Sequence, residues 1–95
     1  MAETHLSLQV LPVVPEASVY PVVDLVIDLI RRSGLPYIVG PMETSIEGDL
    51  DQLLNLVQEA QHICVAAGAS RVVSIVKIDY KPAGVSFDEK LEQYR

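Results

Sequence analysis

The chain has one cysteine and few basic residues, and both shortages exclude classes of site. Cys64 has no partner for an internal disulfide and cannot build a zinc cluster alone. Seven scattered Lys and Arg residues face thirteen Asp and Glu residues, for a formal net charge of −6. Domains that bind nucleic acid normally carry a basic stripe, and anionic membrane surfaces also attract basic residues. We therefore expect neither nucleic acid nor a membrane as a partner.

Long hydrophobic runs and a leader pattern are also missing from the sequence. No run approaches the roughly 18–20 apolar residues of a membrane span, and Met1–His5 lacks the basic start of a signal peptide. The expected location is the cytoplasm. Aromatic residues are scarce, so the core has to be built from Val, Ile and Leu. Because 49% of the 95 residues are hydrophobic, we expect a single domain over residues 1–95.

Two periodicities of apolar residues predict the order β-α-β-β-α-β. Leu6, Leu8 and Val10 alternate with polar residues as in a strand, whereas spacings of three and four from Val19 to Ile30 indicate a helix. The expected elements are a strand within Thr4–Val14, a helix over about residues 18–33, two short strands within Tyr37–Gly48 joined near Glu43–Thr44, a helix from Asp49 to Gly68, a strand over Arg71–Tyr80 and a short helix within Phe87–Tyr94 capped by Ser86. This order predicts an α+β, ferredoxin-like fold, in which a four-stranded antiparallel sheet carries two helices on one face.

Particular residues are expected to begin and end the two long helices. Ser18 is a plausible N-cap for the first, and Asp49 with Gln52 has the form of a capping box for the second. Gly34 and Gly68 suit the left-handed position that follows a helix.

The sheet face that the helices leave open is expected to be partly apolar. Val73 and Ile75 point to one side of the last strand, and Leu11 and Val13 share a side with the polar residues of the first strand. A sheet that faces water should avoid this pattern. We expect the open face to pack on a second subunit.

The densest polar cluster is Gly40–Gly48, with two carboxylates, two hydroxyls, two glycines and a proline in nine residues. Such a set can read an amino-substituted aromatic ring from its edge, or it can cap a hairpin, and spacing alone favours the hairpin. Glu43 and Glu47 would lie about 13 Å apart on a regular strand, too far to share a proton. An acid–base pair is therefore a weak interpretation.

The remaining candidate residues offer no reactive site. Neither His5 nor His62 has a partner at metal-ligand spacing, and Cys64 lies on the apolar stripe of its helix. There is no phosphate-binding glycine loop and no nucleophile elbow. Tyr37 could stack on a ligand or lie in the core. The sequence thus predicts no metal, no cofactor and no catalytic residues.

The cluster Gly40–Gly48 resembles the signature of the small thiamine-binding, YkoF-like proteins, a family long catalogued as of unknown function. Further similarity lies in Tyr20–Gly34, Gly68–Val72 and Lys77–Lys81, so the resemblance extends from Leu6 to Lys90. It implies ferredoxin-like subunits that assemble into dimers and commonly tetramers. It also implies binding of thiamine or its hydroxymethylpyrimidine part, without a demonstrated reaction.

When the family's ligand contacts are matched to this chain by position, the resemblance implies that they lie in a turn at Met42–Ser45. Glu43 would pair with an amino group or ring nitrogen, Thr44 and Ser45 would fix orientation, and Glu47 would be a further contact. We therefore expect a non-catalytic, oligomeric carrier, buffer or sensor. The alternatives are a protein-interaction module without a small ligand and, with least support, an enzyme acting on the same pyrimidine.

Overall fold

The computed structural model describes residues 2–95; Met1, the first residue of the segment considered for a leader, lies outside them. The elements are β1 (Thr4–Pro12), a 3₁₀ turn (Glu16–Ser18), α1 (Val19–Arg32), β2 (Tyr37–Val39), β3 (Thr44–Gly48), α2 (Leu50–Ala66), β4 (Val72–Tyr80), α3 (Phe87–Leu91) and a 3₁₀ turn (Glu92–Tyr94). The strands form one antiparallel sheet in the order β2-β3-β1-β4. The predicted ferredoxin-like fold and element order are confirmed.

The core lies between one face of the sheet and the two long helices. Leu6 and Leu8 of β1, which are 0% and 4% exposed, point toward the helices. They meet Val26 and Ile30 of α1 and the α2 stripe that includes Cys64. The prediction of a core cysteine is confirmed, since Cys64 is fully buried, and burial also raises the pKa of its thiol. Among residues 2–95, no helix is both long enough and apolar enough to cross a membrane.

Glycine ends both long helices as predicted, but their N-caps differ from the prediction. Gly34 and Gly68 have φ values of 77° and 104°. Ser18 accepts no capping hydrogen bond, because the preceding 3₁₀ turn gives it helical angles instead of the extended ones that a cap needs. The Asp49 side chain caps nothing either, and Leu50 N–H instead donates to Oε1 of Glu3 at 3.5 Å. The predicted capping box is therefore wrong.

The turn between β2 and β3 lies earlier in the chain than expected. Gly40 N–H donates to the carbonyl oxygen of Glu43 at 2.9 Å, which closes the turn over residues 40–43. Thr44 is consequently the first residue of β3 and does not belong to the turn. This shift decides which sheet face each neighbouring side chain occupies.

The open face of the sheet has an apolar end and a polar end. Leu11 pairs in register with Val73, and the exposures of these two residues are 43% and 48%. At the other end, His5 pairs with Asp79 on one side and with Glu47 on the other. The predicted C-terminal helix forms as α3 and packs on this polar end of the sheet. The Ser86 cap is confirmed, since its Oγ accepts the Glu89 N–H at 3.4 Å.

Candidate functional site

A groove of about 400 Å³ lies where α3 meets the polar end of the open sheet face. We call it the open-face groove. It is lined by His5 and Ser7 of β1, Ile38 of β2, Ser45 of β3, Lys77, Ile78 and Asp79 of β4, and Phe87, Lys90 and Leu91 of α3. Because four of its elements are the neighbouring strands of one sheet, strand alternation fixes most of these side chains on one surface.

Glu47 fixes the wall that α3 contributes. Its Oε1 accepts the backbone N–H of Phe87 at 3.0 Å and lies 2.8 Å from Nε2 of His5. The ring of Phe87 stacks on the imidazole of His5, with centroids 4.3 Å apart and planes 13° from parallel. One carboxylate oxygen thus holds both members of a flat stack beside the groove.

Lys90 closes the same end of the groove. Its Nζ lies 2.7 Å from Nδ1 of His5 and 2.5 Å from Oδ2 of Asp79. An ammonium group can only donate, so the imidazole accepts at Nδ1, carries its proton on Nε2 and donates to Glu47. The hydrogen bond and charge of Lys90 lower the pKa of Asp79 below its ordinary value. Asp79 is therefore an ionised acceptor at neutral pH.

Two hydroxyl groups form the floor of the groove. The Oγ atoms of Ser7 and Ser45 lie 2.7 Å apart, so one hydroxyl donates to the other. The second hydroxyl keeps a hydrogen for a ligand atom. Beyond Ser45 the groove adjoins a crevice of about 330 Å³ at the β2–β3 turn, which shares Ile38 and Ser45 with it and includes Met42 and Glu43. Glu43 accepts from Nζ of Lys77 there, at 2.7 Å.

The six predicted ligand contacts are divided between the two faces of the sheet. Ser45 lines the groove, and Met42 and Glu43 line the adjoining crevice. Glu47 stands behind the groove wall. Thr44 and Tyr37 pair with residues whose side chains face the helices, and Thr44 is only 6% exposed.

A second cavity lies on the helix side of the turn, which we call the α1 crevice. It measures about 220 Å³, and its lining includes Tyr20 and Val23 of α1 together with Met42, Glu43 and Thr44. The turn therefore borders two cavities, one on each face of the sheet. The α1 crevice has one charged side chain, Glu43, in a mostly apolar lining, whereas Lys77, Asp79 and Lys90 line the open-face groove.

The groove is suited to holding a ligand. Within residues 2–95, no three His, Cys, Asp or Glu side chains come close enough together to bind a metal ion. Its donors and acceptors are instead spaced along a flat apolar surface. Such an arrangement can bind a planar heterocycle by its face and read the edge by hydrogen bonds.

Sequence reasoning missed most of the groove. The sequence could have placed four of its residues on the open face, because side chains alternate between the two faces along the two longest strands and these four alternate with the buried residues: His5, Ser7, Lys77 and Asp79. No local pattern shows that α3 returns to this face. Its contacts to His5 join residues 82 and 85 positions apart.

The chain is similar to a family model and a solved structure named for thiamine, and to relatives whose names give no function. Residues 6–95 match the family model described as "Thiamine-binding protein". The UPF0045 protein CPE1503 of Clostridium perfringens is 52% identical, with both chains covered completely. A domain of unknown function, DUF77, from Bacillus cereus is 45% identical, with a TM-score of 0.92 and coverage of 99% of this chain and 91% of that one. A Thermotoga maritima protein provisionally named for thiamine biosynthesis or salvage is 32% identical, with a TM-score of 0.90 and coverage of 98% and 99%.

Proposed function

Because this chain belongs to the family of thiamine-binding proteins, we propose that it binds thiamine, or the hydroxymethylpyrimidine part of thiamine, in the open-face groove. The observation that carries the proposal is the combination of the Phe87 wall, the Ser7–Ser45 hydroxyl pair and the Asp79 carboxylate around one groove of about 400 Å³. The Thermotoga maritima protein named for thiamine biosynthesis or salvage has a similar fold, which supports the choice of ligand.

An aminopyrimidine ring matches these groups in kind. Its exocyclic amino group is a donor, which the carboxylate of Asp79 or Glu43 accepts. Its ring nitrogens are acceptors, which the free hydroxyl hydrogen of the Ser7–Ser45 pair satisfies. Its flat face packs on Phe87 or Ile38.

The β2–β3 turn then contacts the rest of the ligand. Met42 and Glu43 of the adjoining crevice face the thiazolium part, and the carboxylate of Glu43 favours its positive charge. Glu47 acts through the groove wall. Thr44 contacts the ligand only if it occupies the α1 crevice instead, and Tyr37 lines none of these three cavities.

The binding is an equilibrium without a chemical step, as in a carrier, buffer or sensor in the cytoplasm. The family is named for binding, and its name indicates no catalytic activity. A subunit of this size gains from self-association. The apolar end of the open face supports a dimer or tetramer in which the groove lies beside or within the interface.

Thermal unfolding with millimolar thiamine, hydroxymethylpyrimidine and oxythiamine tests the proposal. Oxythiamine replaces the amino group by an oxo group and serves as the ligand control. At a hundredfold excess over Kd, binding adds about 2.7 kcal/mol to the free energy of unfolding, a rise in Tm of more than about 10 °C for a domain of this size. We expect this rise with thiamine and a much smaller one with oxythiamine.

Two neighbouring variants locate the site. Ser45→Val removes the groove hydroxyl, whereas Thr44→Val removes a hydroxyl on the opposite face of the same strand. Val suits a strand in both places. We expect Ser45→Val to reduce the rise in Tm that thiamine causes, and Thr44→Val to retain that rise. The reverse result would indicate that the ligand binds in the α1 crevice.

A protein-interaction module is the second candidate function. The exposed aliphatic residues Leu11, Val13, Val73 and Ile75 on the open face favour it. The absence of a shift with all three compounds would contradict thiamine binding and favour this module.

A further inference from the structure

All but one of the charged side chains around the open-face groove are paired with a side chain of opposite charge. Three carboxylates (Glu43, Glu47 and Asp79) and two ammonium groups (Lys77 and Lys90) stand in and beside it. Each ammonium already has a carboxylate: Lys77 has Glu43 at 2.7 Å, and Lys90 has Asp79 at 2.5 Å. Among these five groups of the described residues, one negative group is left over; Lys81, whose charge also helps to lower the pKa of Asp79, lines neither the groove nor the adjoining crevice.

Glu47 is the carboxylate without a cationic partner. Its side chain is 19% exposed, and its bonded partners are the Nε2–H of His5 and the backbone N–H of Phe87. The imidazole brings no charge of its own, because Nδ1 accepts from the ammonium of Lys90. A partly buried charge is poorly screened by water and salt. Its field therefore extends into the groove and favours a cation there.

A phosphate group, by contrast, finds no cation in the groove that lacks a carboxylate partner. Phosphates are normally held by Arg, by an unpaired Lys or by the N–H groups that begin a helix. No Arg lines the groove, and both lysines are engaged. The first turn of α3 is also occupied, since Phe87 N–H donates to Glu47 and Glu89 N–H donates to Ser86. A bound phosphate would have to share a lysine with its carboxylate, or displace that carboxylate and remain beside it.

We infer that the groove selects the unphosphorylated, cationic or neutral form of its ligand and rejects the phosphate esters, with Glu47 as the group that sets this preference. The inference rests on the proposed function, because it specifies which chemical class of thiamine compound the same groove accepts. Thiamine carries a positive thiazolium and no phosphate, whereas its diphosphate is a net anion at neutral pH. The protein's net charge of −6 acts in the same direction.

Titration calorimetry tests the inference with thiamine, thiamine monophosphate, thiamine diphosphate, hydroxymethylpyrimidine and hydroxymethylpyrimidine phosphate. We expect thiamine to bind at least about tenfold more tightly than its diphosphate. Hydroxymethylpyrimidine should likewise bind more tightly than its phosphate. Raising sodium chloride from about 20 to about 200 mM should narrow both affinity differences only in part, because salt screens the exposed charges of the protein and much less the partly buried charge of Glu47.

A matched pair of variants assigns the preference to Glu47. Glu47→Gln keeps an oxygen that accepts the Phe87 N–H but removes the charge, and we expect it to reduce the thiamine-to-diphosphate ratio severalfold. Glu16→Gln makes the same change in overall charge in the 3₁₀ turn before α1, outside the groove, and should leave the ratio unchanged. An equal effect of both variants would overturn the role of Glu47.

The outcomes separate this inference from the proposed function. Diphosphate binding as tight as thiamine binding would overturn the inference and leave the thiamine site standing. The ratio of thiamine to diphosphate affinity in the unchanged protein tests the same preference even if Glu47→Gln fails to fold. If none of the five compounds binds, the proposed function fails, and the inference fails with it.

Discussion

The ammonium group of Lys90 joins the C-terminal helix to two strands. It donates to Asp79 of β4 and to His5 of β1, which are neighbours in register. All three side chains lie at the rim of the groove, so the charge of Asp79 affects both the docking of α3 and the shape of the site.

The pH dependence of stability tests the Asp79–Lys90 pair. Because Lys90 lowers the folded-state pKa of Asp79, the pair contributes stability above the unfolded pKa of about 4, and this contribution is lost as the pH falls through the folded pKa. We expect Asp79→Asn to lower Tm at about pH 6 and to differ less from the wild type at about pH 3. Asp24→Asn, on an exposed part of α1, controls for the loss of one negative charge. A difference that stays constant with pH would contradict the pairing.

The sequence could predict some residues of the candidate site, but it could not predict how they are arranged. Ser45 and Glu43 stand out in the sequence for their chemistry, and they line the groove and its adjoining crevice. Thr44 stands out for the same reason, but strand alternation places it on the other face of the sheet. The error follows from the position of the turn, since a turn near Glu43–Thr44 would have left both hydroxyls free to converge.

The short helix α3 depends on its contacts with the sheet. An isolated helix of five residues is not stable in water, because nucleation costs more than so few hydrogen bonds return. It is held by the Ser86 cap, by the bond from Phe87 N–H to Glu47, and by the stack of Phe87 on His5. The groove wall therefore exists only while α3 is docked.

Removal of the Phe87 ring should release α3 from the sheet. An aromatic stack contributes about 0.5–1.5 kcal/mol beyond area burial, so we expect Phe87→Ala to raise the rate of tryptic cleavage after Lys90 roughly fivefold or more. The measurement is the rate at which mass spectrometry detects loss of Leu91–Arg95. Tyr94→Ala, which removes a 77% exposed ring from the same segment, is the control. Equal cleavage rates in Phe87→Ala and the wild type would show that the stack does not hold α3.

Sequence periodicity predicted the strands and helices well because each pattern reports burial on one face of an element. Leu6, Leu8 and Val10 of β1 are all buried, as their alternation requires. Helix caps depend on geometry that lies outside the pattern. Ser18 is the last residue of a 3₁₀ turn, which gives it helical backbone angles, and Glu3, 47 residues before Leu50, accepts the Leu50 N–H at the start of α2 in place of Asp49.

The open face as a whole combines a ligand groove with an uncovered aliphatic area. Val73 and Ile75 of β4, each 48% exposed, continue the surface from the groove toward the far end of the sheet. Burying several hundred Å² of such surface yields several kcal/mol at about 25 cal/mol per Å² before the costs of association. We therefore propose that a second copy of the chain covers this end and brings its own surface close to the groove.

Sedimentation at micromolar concentration tests this assembly with one charged substitution. Ile75→Lys places an ammonium group in the centre of the proposed contact, and burying it without a partner is costly. We expect this variant to sediment as a monomer and to bind thiamine more weakly, because the groove then lacks the neighbouring subunit. Leu25→Lys makes the same kind of change at a 46% exposed position on α1 and should leave the assembly intact. A wild-type protein that sediments as a monomer would contradict the assembly, whereas an assembled Ile75→Lys variant would move the interface to another surface.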